Sequence, residues 1–379
     1  MNKQNNYLLI NKLYFNENIP TFTLFRKLMF KANPFNFEAE LPYPIINKLP
    51  SGLTKIVRVI RLCFKFFIKK SFFRNKKLIS LDHFGHVLLK RQLNDISIDK
   101  SVYKIFNFNK EQIISQYDSS VLKEEMLLDI KKINTVKNLN ITPKLLKMDN
   151  EKKYYIEEYL NLKHPNSEQW DQSLALVKVF IKELYVNFPQ KIVSKKSFIN
   201  SIDYNIDKDI KENPLFTGKI NRILKYIELK TQQLYNFDLE NIIYTQSHGD
   251  LNKTNFFLDN NRIIGIDWEL LDYRSMYYDV FYFILIVNRK DFGFANKDIL
   301  EESTKNTIEY LNKHFIPIQT VNKIDMEFYL NCFVLTYLNW KLRVYLTYTN
   351  EDDFNRRLSE LLKDVYFFEN IGNKLISTF

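Results

Sequence analysis

One short stretch of the chain constrains its fold and chemistry more than any other. The segment 247–255 reads SHGDLNKTN and is followed by FFLDNNRIIGID at 256–267. Two apolar runs flank the Asp/Asn-rich turn at 259–261, a pattern that predicts a β-hairpin. Such a hairpin places Asn255 and Asp267 at neighbouring strand ends. Amide and carboxylate oxygens would then lie close together, directly after the polar loop.

The bulk composition describes an ordinary globular chain. It has 379 residues with a hydrophobic fraction of 45%, enough for two or three domain-sized units with a packed core. Cys63 and Cys332 stand far apart in unlike segments, which gives no disulfide or zinc pattern and indicates a reducing, cytoplasmic compartment. The apolar run 8–10 is too short for a signal-peptide core, so no secretion signal is expected.

Hydrophobic periodicity predicts an α+β chain in three regions. Residues 1–80 are interpreted as an N-terminal extension, irregular over 1–50 and followed by one basic amphipathic helix. Residues 81–160 are interpreted as a small sheet with one helix, and 161–379 as a mostly helical region. In the second region the strands are expected at 86–89, 101–106, 140–146 and 154–160, with the helix at 121–136. In the third region helices are expected near 170–187, 217–235, 275–289, 298–314, 324–347 and 351–369.

Most of the net charge of +11 is concentrated in one segment. Between residues 51 and 77 there are nine basic residues and no acidic ones, and their spacing predicts an amphipathic helix over 53–73. One hypothesis is that residues 53–77 dock on an anionic membrane surface at the inner face, with a set of phenylalanines inserted: Phe64, Phe66, Phe67, Phe72 and Phe73. The alternative is a helix packed on the body with its basic face in water. Nucleic acid is disfavoured as a partner, because no recognition motif accompanies the helix.

Three motifs in the second half of the chain occur in a meaningful order. His248-Gly249-Asp250 is followed by Asn255, then by Asp267 after an apolar strand, and then by Tyr278-Asp279-Val280. This series resembles the catalytic region of the aminoglycoside phosphotransferase and choline kinase superfamily, over roughly residues 86–370. The resemblance implies a protein-kinase-like fold with two lobes, a small β-rich N-lobe and a larger, mostly helical C-lobe.

The resemblance also implies roles for the motif residues. Asp250 would orient the acceptor hydroxyl or act as general base, and His248 would brace the loop. Asn255 and Asp267 would bind Mg²⁺, a hard cation that takes oxygen ligands. Phosphoryl transfer from ATP needs this kind of positioning more than it needs covalent help.

A lysine in the small sheet is the expected phosphate contact. By the same resemblance, Lys104 would bind phosphates and would be steadied by a helix glutamate, Glu124, although Glu125 is an open alternative. Lys90 is the rival lysine, and its spacing to the helix favours it less. No glycine-rich loop precedes Lys104, so the turn at 94–100 is expected to cover the phosphates.

The adenine site is expected where the chain passes from one lobe to the other. The resemblance assigns this connection to residues 157–160, with Glu158 at the base edge. Phe257 and Ile266 would form the apolar floor of the site.

These patterns predict an ATP- and Mg²⁺-dependent phosphotransferase that acts on a hydroxyl group. The acceptor would be a small molecule, an envelope glycan or a lipid-linked precursor. Two alternatives stay open: a choline- or ethanolamine-type kinase, and a membrane-attached pseudokinase that binds nucleotide without turnover.

Overall fold

The chain divides into two compact units. The sheet unit comprises Met1–Asn166 and Phe256–Glu269, and the helical unit comprises Ser167–Asn255 and Leu270–Phe379. The α+β class is thus confirmed, with one sheet-rich unit and one mostly helical unit. The computed structural model describes residues 4–10, 13–32, 51–72, 78–92, 101–162, 164–165, 170–202, 218–260, 262–287, 326–346 and 350–378.

An eight-stranded antiparallel sheet forms the centre of the sheet unit. Its strands are β1 (Asn5–Ile10), β2 (Leu13–Asn16), β3 (Leu78–Leu81), β4 (Val87–Gln92), β5 (Ser101–Asn107), β6 (Gln112–Tyr117), β7 (Leu145–Asp149) and β8 (Tyr154–Glu158). They lie in the order β3-β1-β2-β4-β5-β6-β8-β7. The predicted strands near 86, 101 and 154 are confirmed, the one at 140–146 begins later, and β6 was not predicted.

Both faces of the central strands are buried. On β4 and β5, Val87 and Phe106 belong to one apolar cluster, whereas Leu88 and Ile105 belong to another. Successive side chains of a strand point to opposite faces, so each strand contributes to two cores. This explains why apolar residues adjoin one another along these strands, as in the segments 87–89 and 105–106, instead of alternating with polar ones.

The interpretation of residues 1–50 as irregular is wrong for their described part. Strands β1 and β2 belong to the central sheet, where Tyr14 is opposite Leu88. Helix α1 (Thr21–Lys31) follows, with Pro20 in extended conformation at its N-cap. The apolar side chains here are buried on both faces of short strands, which hides any period in the sequence. Residues 1–80 are therefore not a separate region, and 33–50 lie outside the described residues.

The predicted basic helix is confirmed as α2 (Ser51–Phe72). One face packs into the same core as β1, β2 and α1, through Val59, Leu62, Cys63 and Phe66. Phe66 is fully buried with its ring centroid 6.1 Å from that of Phe15. The expectation that Phe66 inserts into a membrane is therefore wrong, and Phe73 lies outside the described residues.

Several lysines of α2 are tied to the sheet unit. The Nζ atoms of Lys55, Lys69 and Lys70 donate to the backbone oxygens of Met29, Leu9 and Ile19, at 2.8, 2.9 and 3.2 Å. These carbonyls belong to α1, β1 and the turn before α1. The basic side chains thus help to fix α2 on the unit rather than extending freely into water.

Two further predicted elements complete the sheet unit. Helix α3 (Lys123–Val136) and the hairpin of β11 (Phe256–Asp259) and β12 (Arg262–Gly265) are both confirmed. The hairpin is held by the Gly265 amide, which donates to the backbone oxygen of Ile141 at 2.8 Å. It therefore belongs to the sheet unit, although the sequence grouped it with the helical region.

The helical unit supports the loop at 247–255. Its helices are α4 (Trp170–Asn187), α5 (Gly218–Tyr235), α6 (Tyr278–Phe281) with the π-helical continuation Tyr282–Val287, α7 (Met326–Leu346) and α8 (Glu351–Thr378). A small antiparallel sheet joins β9 (Lys191–Ser194), β10 (Asn241–Ser247) and β13 (Asp272–Ser275) in the order β13-β10-β9. The predicted helix at 298–314 lies outside the described residues. Within the described ranges no helix is both long and apolar enough to cross a membrane.

Candidate active site

A buried carboxylate fixes the start of the loop that follows β10. Asp279, 1% exposed on α6, accepts hydrogen bonds from Ser247 Oγ (2.9 Å), the His248 amide (2.8 Å) and the Gly249 amide (3.0 Å). All three donors are neutral, and charge-assisted bonds of this kind are stronger than neutral ones. Asp279 therefore sets the direction in which the chain enters the position of Asp250.

Gly249 is required by its backbone and by its neighbours. Its φ of +85° lies in the left-handed region that glycine tolerates. A Cβ atom here would lie 2.6 Å from Arg274 Nη1 and 2.6 Å from the Leu270 carbonyl oxygen. The sharp turn between His248 and Asp250 is thus available only to glycine.

The Asp250 carboxylate is oriented by two neutral donors. Asn255 Nδ2 donates to its Oδ2 at 3.0 Å and also to its backbone oxygen at 2.9 Å. The Tyr282 hydroxyl donates to Oδ1 at 2.5 Å. Burial, followed by the charge of Asp250, raises the pKa of Tyr282 above its ordinary value, so this phenol stays a donor at neutral pH. Asp250 itself is half-buried and so retains access to solvent.

His248 occupies a supporting position. Its side chain is fully buried, with the ring centroid 6.4 Å from that of Phe180 on α4. A ring with no exposed surface fits the predicted bracing role and cannot meet an acceptor in solution.

The sheet unit contains a cavity of about 310 Å³. This lies in the range of small-molecule sites. Its apolar walls come from the sheet, the hairpin and α3, through Leu89, Phe106, Ile113, Ile133, Phe257 and Ile266. Its polar lining comprises Lys104, Asp129, Glu157, Glu158, His164, Asp267 and Glu269.

An ion pair lies in the wall of this cavity. Lys104 Nζ donates to Asp267 Oδ1 at 2.5 Å, and the two side chains are 19% and 25% exposed. Burial alone would lower the pKa of Lys104, but the charge of Asp267 outweighs it and the pKa is raised. Asp267 has a φ of +60°, an uncommon value for a residue other than glycine. Asp267, a predicted Mg²⁺ ligand, is thus ion-paired with Lys104, the predicted phosphate contact.

Four further carboxyl groups line the cavity: Asp129, Glu157, Glu158 and Glu269. Burial, opposed by Lys104 and assisted by Asp267 and Glu269, raises the pKa of Glu157 to about 7. Asp129 accepts a hydrogen bond from the Tyr117 hydroxyl at 3.1 Å. An acidic wall of this kind repels a bare polyphosphate, so an anionic ligand would need a divalent cation or the Lys104 ammonium beside it.

The predicted adenine-site residues lie together. Glu158, Phe257 and Ile266 all line the cavity. His164 was not predicted: its ring centroid lies 4.6 Å from that of Phe257, and its Nδ1 lies 3.0 Å from the Phe256 carbonyl oxygen. A polar ring between apolar walls had no distinct signal in the sequence.

The predicted partner of Lys104 is corrected. Glu124 is exposed in the first turn of α3, and Glu125 caps that helix by accepting from the Leu122 amide at 3.2 Å. The buried face of the helix carries Met126 and Ile130, and Glu124 lies about 200° from Met126 around the helix. Lys104 pairs with Asp267 instead, and the carboxylate that α3 presents to the cavity is Asp129.

Two other expectations have plain outcomes. The rival Lys90 lies on β4 opposite Tyr103 and is not among the residues that line the cavity. The turn at 94–100, expected to cover phosphates, lies outside the described residues.

Each of the two predicted Mg²⁺ ligands is an oxygen donor, and the two belong to different units of the chain. In the described part of the chain, no group of three His, Cys, Asp or Glu residues could hold a metal ion. Mg²⁺ is usually bound through one or two protein oxygens, with phosphates and water as its other ligands. Asp267 and the Asn255 amide oxygen are donors of this type.

Comparisons with known proteins give similarity at the level of structure only. No family model matches the chain, and no curated protein matches it. A choline kinase from Streptococcus pneumoniae is 15% identical with a TM-score of 0.48, covering 74% of this chain and 94% of that one. An ethanolamine kinase from Plasmodium vivax is 14% identical with a TM-score of 0.45, covering 76% and 83%. An aminoglycoside phosphotransferase from Streptomyces rimosus is 13% identical with a TM-score of 0.42, covering 67% and 93%. At these identities and TM-scores, none of them assigns an activity or a substrate to this chain.

Proposed function

We propose that this protein is a phosphotransferase that moves a phosphoryl group from Mg²⁺-bound ATP to an alcohol. The observation that carries the proposal is the arrangement of Asp250. Its carboxylate is held by Asn255 and Tyr282, on a loop that Asp279 fixes by three hydrogen bonds. An oriented, partly exposed carboxylate is what positions an acceptor hydroxyl for attack on phosphorus.

Asp250 would accept the hydroxyl proton of the acceptor. Both carboxylate oxygens already accept one hydrogen bond, but each has a second lone pair for a further donor. The Asn255 and Tyr282 bonds stop the carboxylate from rotating, so the hydroxyl meets one fixed orientation. Since proton transfer is late in a loose phosphoryl transition state, orientation matters more than a high pKa.

The cavity of the sheet unit would hold the nucleotide. Phe257 and Ile266 offer apolar surface for a base, and Glu158 lines the same cavity. Lys104 would bind phosphate oxygens once its bond to Asp267 opens. Asp267 and Asn255 would hold Mg²⁺, which, when bound, neutralises charge that develops on the transferred group.

The acceptor stays open within the class of alcohols. The rings nearest Asp250 are core side chains: Tyr278, Tyr282 and Tyr337 are 2%, 5% and 2% exposed, so they offer no open aromatic face to a cationic head group. Choline, ethanolamine, sugars and glycan fragments therefore all enter as test compounds.

The test is ATP consumption by the purified full-length protein. The panel comprises choline, ethanolamine, an aminoglycoside, simple sugars and glycan fragments, each with Mg²⁺ and with chelator. Asp250→Asn keeps the size of the side chain and removes its charge, and Asp238→Asn, at an exposed position of the same unit, is the matched control. We expect turnover with at least one acceptor, a loss of about a thousandfold or more in Asp250→Asn, and no change in Asp238→Asn.

Two results would contradict the proposal. Equal turnover by Asp250→Asn and the unaltered protein would remove Asp250 from the mechanism. Nucleotide binding without turnover on any acceptor would favour a pseudokinase that keeps the site for another purpose.

A further inference from the structure

Helix α2 exposes a continuous apolar stripe. Five side chains form it, at positions spaced by three or four residues: Leu53 (50% exposed), Ile56 (36%), Ile60 (52%), Phe64 (63%) and Phe67 (48%). Residues at this spacing share one face of a helix. The stripe therefore spans about four turns of α2 and presents its apolar surface to solvent.

This stripe is distinct from the face that holds α2 on the sheet unit. The anchoring face consists of buried side chains such as Val59, Leu62 and Phe66. Ile60 and Phe64 lie about 100° to 160° around the helix from those residues. The helix thus has two apolar faces, and only one of them is needed for the fold. An exposed apolar face of this length usually marks a binding surface.

Basic residues border one side of the stripe. Arg61 follows Ile60 and Lys65 follows Phe64, about 100° around the helix, and Arg58 lies on the same side. All three are half-buried, as expected when long basic side chains lie along apolar surface. Helices α1 and α2 carry nine basic residues between them and no acidic one. Four of the nine, Lys31, Lys55, Lys69 and Lys70, are bonded within the sheet unit, so it is the basic border of the stripe that favours an anionic partner.

Helix α1, which packs against α2, also carries two large exposed aromatic rings. Phe22 is 74% exposed and Phe30 is 68% exposed. Helices α1 and α2 pack against each other in the core formed with β1 and β2. Exposed aromatic rings among basic side chains are the composition of helices that lie in the headgroup region of a bilayer.

We propose that the stripe of α2 binds the surface of an anionic lipid bilayer, with Ile60, Phe64 and Phe67 inserted between headgroups. Arg58, Arg61 and Lys65 would then contact lipid phosphates or carboxylates beside the stripe. This replaces the phenylalanine set expected from the sequence, because Phe66 is in the core and the aliphatic side chains share the stripe. The proposal is independent of the phosphotransferase activity.

Charge distinguishes the bilayer from a second copy of the chain. Two copies paired through the stripe would bring the basic residues of both α2 helices together without any acidic residue from either helix to offset them. Like charges at short range oppose such pairing. An anionic membrane offers apolar volume for the stripe and opposite charge for its border at the same time.

The test is co-sedimentation of the full-length protein with vesicles. Vesicles of phosphatidylcholine with about 30% phosphatidylserine are compared with phosphatidylcholine alone. The stripe variant is Ile60→Ser with Phe64→Ser and Phe67→Ser. Its matched control is Leu128→Ser with Val186→Ser and Leu229→Ser, three side chains of similar exposure on other helices. The charge variant is Arg61→Gln with Lys65→Gln, and thermal unfolding with circular dichroism verifies that each variant folds.

We expect binding to the anionic vesicles with a loss of at least about tenfold in the stripe variant and no loss in its control. The charge variant should lose roughly fivefold per residue removed, and about 0.5 M salt should weaken binding of the unaltered protein. Equal binding by the folded stripe variant, or equal binding to neutral vesicles, would overturn the proposal. So would a stable dimer of the unaltered protein that the stripe variant converts to monomer, since a second copy would then occupy the surface.

Discussion

The two units hold their key aspartates in different ways. In the helical unit, Asp279 is 1% exposed and accepts only from neutral groups that lie within 32 residues of it along the chain. In the sheet unit, the Asp267 side chain is 25% exposed and is paired with a cation, Lys104, that lies 163 residues away. One carboxylate is held by dipoles, and the other by an opposite charge.

The difference suits two different uses. Backbone amides cannot move away, so the bonds to Asp279 keep one loop geometry throughout a reaction. The Lys104–Asp267 pair has partial access to solvent, and each member has an alternative partner of the opposite sign: phosphate for Lys104 and a metal cation for Asp267. We infer that the first arrangement is a permanent brace and the second an exchangeable contact. The experiments below test that contrast.

The largest effect is expected from Asp279→Asn. The new amide keeps one accepting oxygen but directs an N–H group at the His248 amide, leaving two buried donors opposed. We expect the free energy of unfolding to fall by about 4 kcal/mol in urea titrations. Asp272→Asn is the control, because that exposed carboxylate accepts only from the adjacent Tyr273 amide. A loss for Asp279→Asn no greater than that of the control would remove the idea of a brace.

The exchangeable contact predicts a smaller effect that a second substitution reverses. Lys104→Met leaves Asp267 without its cation, and we expect a loss of about 3 kcal/mol. Adding Asp267→Asn removes the remaining unpaired charge and should recover most of the lost stability. The control is Lys31→Met, whose pair with Glu111 is 42% and 59% exposed and should contribute less than about 1 kcal/mol.

Strict additivity of Lys104→Met and Asp267→Asn in chemical denaturation would contradict the pairing. A second measurement sharpens the contrast: nucleotide with Mg²⁺ should stabilise the unaltered protein against unfolding. It should stabilise the double variant much less, because both exchange partners are missing.

A buried neutral group in the sheet unit provides a third case. His86 Nδ1 accepts from the Phe108 amide at 3.2 Å, and the two rings stack at 5.3 Å. Burial, with a smaller contribution from Lys27, lowers the pKa of His86 from 6.5 to about 4. The unfolded chain therefore binds a proton between these values while the folded chain does not. Stability should be fully present above pH 6.5 and should decline as the pH falls toward 4.

The expected loss assigned to His86 is about 2 kcal/mol between pH 7 and pH 5. His86→Asn retains an acceptor near the position of Nδ1 and does not titrate. Urea unfolding of both proteins at each pH isolates the contribution, since all other groups are shared. Parallel pH profiles for the two proteins would show that His86 is not responsible.

The contrast between the units also explains what the sequence could predict. The loop at 247–255, Asn255 and Asp279 lie close along the chain, so one short series of motifs carried the resemblance that implied their roles. The amphipathic α2 and the hairpin of β11 and β12 have local signals of the same kind. These elements were all predicted at nearly the correct positions.

The features that were missed depend on packing between distant segments. The sequence offered Glu124 and Glu125 of α3 as partners of Lys104, but the phase of α3 against the sheet leaves neither of them in the cavity lining. Met126 and Ile130 set that phase and turn Glu124 outward. The period of buried residues on α3 could have identified Asp129, since 126, 130 and 133 lie on its side of the helix. Strand β2 pairs with β4, and β1 pairs with β3, through contacts between distant segments that no local pattern encodes.

The smallest effect is expected where a neutral donor meets a half-buried carboxylate. Tyr282→Phe removes the hydroxyl that donates to Asp250 Oδ1 at 2.5 Å and leaves the ring stack with Tyr278 in place. Asp250 is half-buried, so water can replace the lost donor, and we expect only about 1 kcal/mol of lost stability. Turnover should fall by roughly tenfold, because the carboxylate regains rotational freedom while Asn255 still holds Oδ2. Tyr337→Phe, which removes a buried hydroxyl bonded to Asp364 at 2.7 Å, is the matched control and should lower stability without a specific loss of turnover. If the two variants lose turnover in the same proportion as stability, Tyr282 supports the fold and does not orient Asp250.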